Sequence, residues 1–167
     1  MRLEGLARDA ALLAGKIIGI VVVSLLFFTF VYGATRIQEP HMAPNVKDGD
    51  LVIYYRFAKK EYMARDLVVV KENGKKNVRR IVATGGDVVD ITESGLVING
   101  ALQQEPGIRA ETYRYQEGID FPVTVPHGEV FVLADGREGA SDSRIYGTVR
   151  REDLAGKVMT ILRRREF

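Results

Sequence analysis

The sequence predicts an all-β domain of antiparallel strands that follows a single N-terminal transmembrane helix. An uncharged apolar stretch lies near the N-terminus, several short runs rich in β-branched and aromatic residues follow it, and turn-forming residues separate these runs. The chain has 167 residues, which is close to the usual size of a single domain. The part after the helix is therefore long enough to bury its own core.

The apolar stretch covers residues 17–35 and contains no charged side chain. As a helix it would reach about 28 Å, which is roughly the thickness of the hydrocarbon core of a bilayer. The alternative is a cleaved secretory signal, whose apolar part usually runs about 7–15 residues before a small-residue cleavage site. The stretch is longer than that and no clear cleavage site follows it, which favours a retained anchor.

Basic residues on the two sides of the stretch predict its orientation. The N-terminal flank carries three of them, which are Arg2, Arg8 and Lys16. Beyond the stretch Arg36 stands nearly alone. The positive-inside rule therefore predicts a cytoplasmic tail at residues 1–16, a single plasma-membrane span at 17–35 and an extracytoplasmic β domain at 36–167.

The β domain is predicted from short runs that have the composition of strands. They are residues 51–55, 67–70, 88–91, 96–98 and 129–133. Turn signals such as Asn99-Gly100 and Pro126-His127-Gly128 lie between them. The polar stretch 105–120 has weak patterning, and we expect a long surface excursion there.

Composition narrows the chemistry that the chain can perform. It contains no cysteine, which excludes disulfides, thiolate zinc sites and cysteine nucleophiles. Only His41 and His127 offer an imidazole, so neither a metal site nor a cofactor is expected, and His127 is interpreted as an exposed turn residue. The formal net charge of +2 gives no reason to expect nucleic acid as a partner, and the closing basic run 163–165 is interpreted as a solvated terminus.

Three segments resemble, in order, the signature boxes of type I signal peptidases, peptidase family S26. Residues 39–50, EPHMAPNVKDGD, are similar to the family's Ser-Met-x-Pro-Thr-Leu-x-x-Gly-Asp. Residues 78–87, VRRIVATGGD, are similar to Lys-Arg-Val-Ile-Gly-x-Pro-Gly-Asp. Residues 134–147, ADGREGASDSRIYG, are similar to Gly-Asp-Asn-Arg-x-x-Ser-x-Asp-Ser-Arg-x-x-Gly. The whole resemblance extends over residues 17–162.

The resemblance implies an antiparallel β core of the signal-peptidase type, lying against the outer membrane leaflet and its lipid. It also implies a substrate class, because the family binds the extended end of a signal peptide along strand edges and cuts it after small residues. Strand addition of this kind supplies backbone hydrogen bonds, and shallow pockets accept alternate side chains.

The two residues that cut the peptide bond in the family are replaced. The serine before Met-x-Pro corresponds to His41, and the lysine before the box arginine corresponds to Arg79. Histidine has no hydroxyl with which to form an acyl ester. Arginine stays protonated and offers only donors, so it cannot serve as a general base. No catalytic residue is therefore expected at these two dyad-equivalent positions.

Other positions around the dyad also depart from the family pattern. The third-box serine falls on Ala140, with Ser141 displaced by one residue, and Asn45 replaces a threonine. Glu39 lies where many relatives have a small hydroxyl residue, and a carboxylate there would repel a developing oxyanion.

The residues that match the family are expected to form its groove and framework. Besides Glu39, the positions selected for this role are Met42, Pro44, Arg80, Asp142, Ser143 and Arg144. Asp142 and Arg144 are expected to form an ion pair that orders the loop, and Arg80 is a candidate third member.

These observations favour a catalytically silent homologue that binds secreted or pilin-like proteins at the membrane. It resembles the signal-peptidase-like factors of pilus polymerisation in Gram-positive bacteria, which implies a pilus-assembly sortase as a possible partner. One alternative is an active endopeptidase in which His41 activates water or Ser141 is recruited as the nucleophile. A purely structural or regulatory membrane protein is the other alternative.

Overall fold

The computed structural model describes residues 2–58, 62–72, 74–108 and 110–163. The chain divides into two compact units, Met1–Tyr32 and Gly33–Phe167. The first unit consists mainly of helix α1, Arg2–Val31. The portion Arg8–Val31 has a mean hydropathy of 2.5 and none of it is buried inside the protein, so it is long and apolar enough to cross a bilayer.

Helix α1 differs in its bounds from the predicted span. It begins well before residue 17 and ends at Val31, so residues 32–35 of the predicted span belong to the first strand instead. A signal sequence near the N-terminus would meet the same criteria of length and hydropathy. The division into tail, anchor and outer domain therefore stays a prediction.

Eleven strands and a four-residue helix follow α1 in the part of the chain that is described. The strands are β1 (Tyr32–Arg36), β2 (Leu51–Tyr55), β3 (Leu67–Glu72), β4 (Lys75–Thr84), β5 (Val88–Thr92), β6 (Gly95–Ile98), β7 (Ala101–Leu102), β8 (Val123–Thr124), β9 (Glu129–Leu133), β10 (Val149–Arg150) and β11 (Leu154–Leu162). The helix α2 covers Ser143–Tyr146.

The strands form two sheets. The seven-stranded sheet has the order β1-β2-β11-β3-β4-β9-β10, and the four-stranded sheet has the order β7-β6-β5-β8. From β2 to β10, and throughout the second sheet, neighbouring strands are antiparallel. The predicted antiparallel β architecture is thereby confirmed, and each of the predicted runs lies in a strand.

The central strands are continuous apolar runs because both faces of the sheet are covered. Alternate side chains of a strand point to opposite faces. Val69 of β3 packs in a core cluster with Met42 and Tyr54, whereas Val68 and Val70 belong to a second cluster. In a strand that is buried on both faces, apolar and polar residues do not alternate. Such a strand is therefore predicted from its content of β-branched and aromatic residues.

Strands β4 and β11 were not among the predicted runs. β4 contains the buried Arg79 beside Val78, and its first residues are exposed. β11 contains Gly156 and two irregularities of register, one against β3 and one against β2. Charged, glycine and bulged positions interrupt the composition on which strand prediction depends.

Gly156 permits a close approach between β11 and β2. A Cβ at this position would lie 2.2 Å from the Tyr55 carbonyl oxygen and 2.8 Å from the Tyr54 ring. A backbone atom cannot move aside as a flexible side chain can, so the two strands would have to separate locally.

We expect Gly156→Ala to lower the free energy of unfolding by about 2–3 kcal/mol, which is the upper part of the usual cost of overpacking. Urea denaturation of the full chain in detergent, followed by circular dichroism, measures the change. Thr160→Ala on an exposed position of the same strand is the control and should change stability by less than about 0.5 kcal/mol. Equal stability of the two variants would contradict the close approach.

Candidate functional site

Residues 37–50, which contain the first box, connect β1 to β2, and we call this segment the first-box loop. The Ile37 amide donates to the Asp50 carbonyl, and the Gly49 amide donates to the Ile37 carbonyl, both at 2.9 Å. These bonds fasten the two ends of the loop together. Between them the Met42 side chain is fully buried in the core. The loop is thus held at three places, and His41 lies next to the buried one.

The first-box loop is also bonded to the third box. The Gly136 amide donates to the His41 carbonyl at 2.7 Å, and the Asp135 amide donates to the Met42 sulfur at 3.3 Å. A Cβ at Gly136 would lie 3.1 Å from that His41 oxygen, so glycine allows the close approach. The His41 side chain is partly buried. The structure therefore brings two of the three boxes together through one backbone–backbone hydrogen bond and one bond to the Met42 side chain.

Arg79 of the second box is buried in β4, and each of its guanidinium nitrogens donates a hydrogen bond. Its guanidinium forms a two-armed ion pair with Glu39: Nη1 contacts Oε1, and Nη2 donates to Oε2 at 3.2 Å. Nε donates to the Ser141 carbonyl at 2.9 Å and Nη1 to the Val78 carbonyl at 2.6 Å. The exposed fractions of the side chains are 1% for Arg79 and 16% for Glu39. Arg79 thus joins all three boxes.

The electrostatics of this pair keep Arg79 protonated. Burial disfavours the charged guanidinium, but the hydrogen bond and the negative charge of Glu39 more than offset it, so the pKa of Arg79 is raised above its ordinary value. Nearby, burial raises the pKa of Tyr146, and the positive charge of Arg79 opposes that shift only in part. Position 79 therefore presents a permanent cation.

Arg80 corrects one expectation from the sequence. Its guanidinium pairs with Asp135, with Nε and Nη2 donating at 2.7 and 2.6 Å, and not with Asp142. The Asn45 amide also donates to Asp135, at 2.7 Å. Neighbouring residues of a strand point to opposite faces, so Arg79 and Arg80 reach different partners. The hydrogen bond to Asp135 raises the pKa of Arg80.

Asp142 and Arg144 form the expected ion pair, which is almost fully buried. Arg144 donates from Nε to Oδ1 at 2.9 Å and from Nη2 to Oδ2 at 2.8 Å. Asp142 also accepts from the Ala134 amide at 3.1 Å, and Ser143 Oγ accepts from the Val132 amide at 3.0 Å. Ser143 thereby bonds the third box to β9, and Asp142 bonds to Arg144 and Ala134 within that box.

Ser141 has a partner that sequence reasoning missed. Its hydroxyl donates to the Glu72 carboxylate at the end of β3, and the Asn77 amide donates to the other oxygen of that carboxylate at 3.3 Å. Ala140, the preceding residue, is fully buried in the core and has no hydroxyl. Neighbouring positions 140 and 141 therefore have different surroundings.

An open groove lies beside the Glu39–Arg79 pair. We call it the β1–β4 groove; its volume is about 480 Å³ and it is lined by Thr35, Arg36, Gln38, Glu39, Gly74, Lys75, Lys76 and Asn77. β1 is the terminal strand of its sheet. β9 pairs with β4 only from Arg80 to Thr84, which leaves the first half of β4 without a strand on that side in the described structure. Two strand edges therefore border the groove.

Pro44 and His127 lie outside this cluster of side-chain contacts. Pro44 is exposed, and its carbonyl accepts from Arg163 Nη2 at 3.3 Å. His127 is exposed in the turn before β9, as the sequence indicated. The Glu39–Arg79 pair was the main contact that sequence reasoning missed. Its signal in the sequence was one acidic and one basic residue, Glu39 and Arg79, in two of the three boxes.

The antiparallel strands and the order of the three boxes are those of a signal-peptidase-type β domain, and in the chain this domain follows an apolar helix. The family model for signal peptidase, peptidase S26, matches residues 11–162. Signal peptidase I of Bacillus licheniformis is 31% identical over 149 residues, covering 81% of this chain and 79% of that protein. The chain belongs to the signal peptidase family, peptidase S26, which confirms the resemblance seen in the sequence.

Two further proteins that are similar to this chain are also signal peptidases by name. Signal peptidase I S of Bacillus subtilis (strain 168) is 29% identical over 168 residues, covering 93% of this chain and 91% of that protein. Among solved structures, signal peptidase I of Enterococcus faecalis V583 is 28% identical and gives a TM-score of 0.49, covering 60% of this chain and 98% of that one.

We expect Glu39→Gln to lower the free energy of unfolding by about 2–4 kcal/mol, because it leaves a buried guanidinium without its countercharge. Arg79 would still donate to two backbone carbonyls, so the loss of stability should be smaller than for a buried guanidinium without any hydrogen-bond partner. Urea denaturation in detergent measures it. Glu138→Gln, on an exposed carboxylate of the third box, is the control and should change stability by less than about 0.5 kcal/mol. Equal effects of the two variants would contradict a stabilising pair.

Proposed function

We propose that this chain is a membrane-anchored, non-cleaving member of the signal peptidase family that binds exported or pilin-like polypeptides in the β1–β4 groove. The observation that carries the proposal is the buried ion pair of Arg79 with Glu39. In the alignment with the family's signature boxes, Arg79 occupies the position of the general base and His41 occupies the position of the nucleophile.

The proposed loss of cleavage follows from the chemistry of these positions. Peptide-bond cleavage by a serine–lysine pair needs a hydroxyl to attack and a neutral amine to take its proton. Arg79 is a cation whose pKa is raised further by Glu39, so it has no lone pair with which to accept a proton. The carboxylate of Glu39 also brings negative charge to the place where an oxyanion would form.

The proposed binding role rests on the groove and its open strand edges. An extended polypeptide can add to the edge of a sheet, and it then obtains backbone hydrogen bonds without regard to its sequence. The terminal strand β1 and the first half of β4 border the groove. A polypeptide can therefore be held beside Arg79 even though it is not cut.

The cellular setting completes the proposal. The apolar helix would anchor the chain in the plasma membrane, with the tail at residues 1–16 in the cytoplasm and the β domain outside. Membrane lipid, signal peptides or pilin-like proteins, and a pilus-assembly sortase are the partners implied by the family resemblance. No nucleic acid is proposed as a partner.

An active endopeptidase is the second candidate, and one observation favours it. The Ser141 hydroxyl donates to the Glu72 carboxylate, so a hydroxyl and a possible proton acceptor are already in contact. Carboxylates are in general weak bases for a serine hydroxyl near neutral pH, so a serine–carboxylate pair is a poorer catalyst than a serine with a neutral lysine.

Incubation of the full chain with a signal-peptide substrate should give no cleavage by mass spectrometry. His41→Ala should leave binding of that substrate unchanged, because the proposed role does not use the imidazole. Cleavage by the wild-type chain that is lost in His41→Ala or Ser141→Ala would instead establish the active enzyme and identify its residue.

Restoring the dyad alone should fail for an electrostatic reason. In His41→Ser with Arg79→Lys, the new amine would lie beside Glu39, whose negative charge raises the pKa of the lysine and keeps it protonated. Adding Glu39→Ser removes that charge. An opposite charge at this range shifts a pKa by about 1–3 units, so the triple variant should cleave at least about ten-fold faster than the double variant.

Adding Glu138→Gln to the double variant is the matched control for the triple variant, because it removes an exposed carboxylate of the third box. It should leave the rate of the double variant unchanged. A double variant as fast as the triple variant would show that Glu39 does not control position 79.

The topology can be tested with single cysteines, since the natural chain contains none. Ser94→Cys, in an exposed turn between β5 and β6, should react with an impermeant maleimide on intact cells. Asp9→Cys, on the exposed surface of α1, should react only after lysis. The reverse pattern would place the β domain in the cytoplasm.

A further inference from the structure

The β1–β4 groove has a strongly basic lining. Arg36, Lys75 and Lys76 contribute three cations, and Glu39 is the only acid that lines it in the described part of the chain. In the same described residues, none of the three cations has a carboxylate within ion-pair distance. By contrast, the buried Arg79, Arg137 and Arg144 each have a carboxylate within that distance.

Glu39 does not neutralise these cations. Both of its carboxylate oxygens are bonded to Arg79, which lies behind the groove lining in the buried part of β4. The pair as a whole is neutral. A polypeptide in the groove therefore meets the positive charge of Arg36, Lys75 and Lys76 without an opposing charge from the protein.

Contacts within the domain fix one of the three cations in place. Lys76 Nζ donates to the buried Tyr54 hydroxyl at 3.0 Å and lies 5.6 Å from the centre of the Tyr54 ring. Neither contact removes its charge, and a cation held this way loses less entropy when it binds an anion. Lys75 is exposed and Arg36 lies at the end of β1, so both can also reach an occupant.

We propose that the occupant of the β1–β4 groove is an extended polypeptide segment that carries Asp or Glu side chains. This inference rests on the proposed function and names the substrate class that the groove selects. The open edges of β1 and β4 favour a polypeptide over a lipid headgroup, since strand edges bind backbone. Alternate residues of an extended chain lie on one side, so carboxylates two positions apart can face the same cations.

The test measures binding of fluorescein-labelled peptides to the full chain in phosphatidylcholine nanodiscs by fluorescence anisotropy. The three peptides share one alanine- and valine-rich sequence and carry Asp, Asn or Lys at two positions that are two residues apart. Two partly exposed ion pairs are worth about 0.4–2 kcal/mol, so the Asp peptide should bind about two- to thirty-fold more tightly than the Asn peptide. The Lys peptide should bind most weakly. Raising the salt concentration should reduce the preference.

Lys75→Gln is the diagnostic variant because its side chain is exposed and its loss leaves the fold intact. It should weaken binding of the Asp peptide up to about five-fold and leave the Asn peptide unchanged. Arg150→Gln removes one positive charge from β10, at the opposite edge of the same sheet, and should alter neither peptide. Equal loss in the two variants would mean that net charge, and not the groove, determines binding.

The other outcomes separate this inference from the proposed function. Binding of all three peptides with equal affinity would overturn the acidic preference while supporting the groove as a polypeptide site. A chain that binds none of them would overturn both proposals. An acidic preference that disappears in nanodiscs containing phosphatidylglycerol would assign the cations to lipid headgroups and overturn this inference.

Discussion

The ion pair between Glu39 and Arg79 is the interaction on which the arrangement of the site depends. It connects the segment after the first strand of the seven-stranded sheet to β4, the fifth strand of that sheet, so the sheet must curl enough to bring them together. A guanidinium inside a protein is costly unless it is paired, and here the carboxylate and two backbone carbonyls satisfy it. The first-box loop and the third box are consequently held against β4, and the groove opens beside them.

Other ion pairs extend the same arrangement away from the groove. Asp135 receives Arg80 and Asn45, and Asp142 receives Arg144. The bonds to Asp135 connect β4 and the first-box loop to the third box, whereas the Asp142–Arg144 pair lies within the third box. These charges are therefore sufficiently explained by architecture. A polar framework of this kind can persist whether or not the residues above it perform catalysis.

Family, fold class and most central strands could be predicted from the sequence, whereas the partners of the charged residues could not. The boxes were recognisable because residues such as Met42 and Asp142 keep their spacing along the chain. The partner of Arg80 is Asp135, which is 55 positions away, and sequence spacing contains no information about such a contact. β4 and β11 were missed because Arg79 and Gly156 are unusual in strands. Helix α1 ends before the predicted span does because residues 32–35 belong to strand β1 of the seven-stranded sheet.

The mutual dependence of Glu39 and Arg79 also restricts how these positions can change during evolution. Replacement of either residue alone leaves the other as a buried or half-buried charge without its partner, so each single step passes through a less stable protein. The two positions are thus epistatic, because the effect of replacing one depends on which residue occupies the other. The Glu39–Arg79 ion pair therefore restricts which single substitutions these two positions can accept without loss of stability.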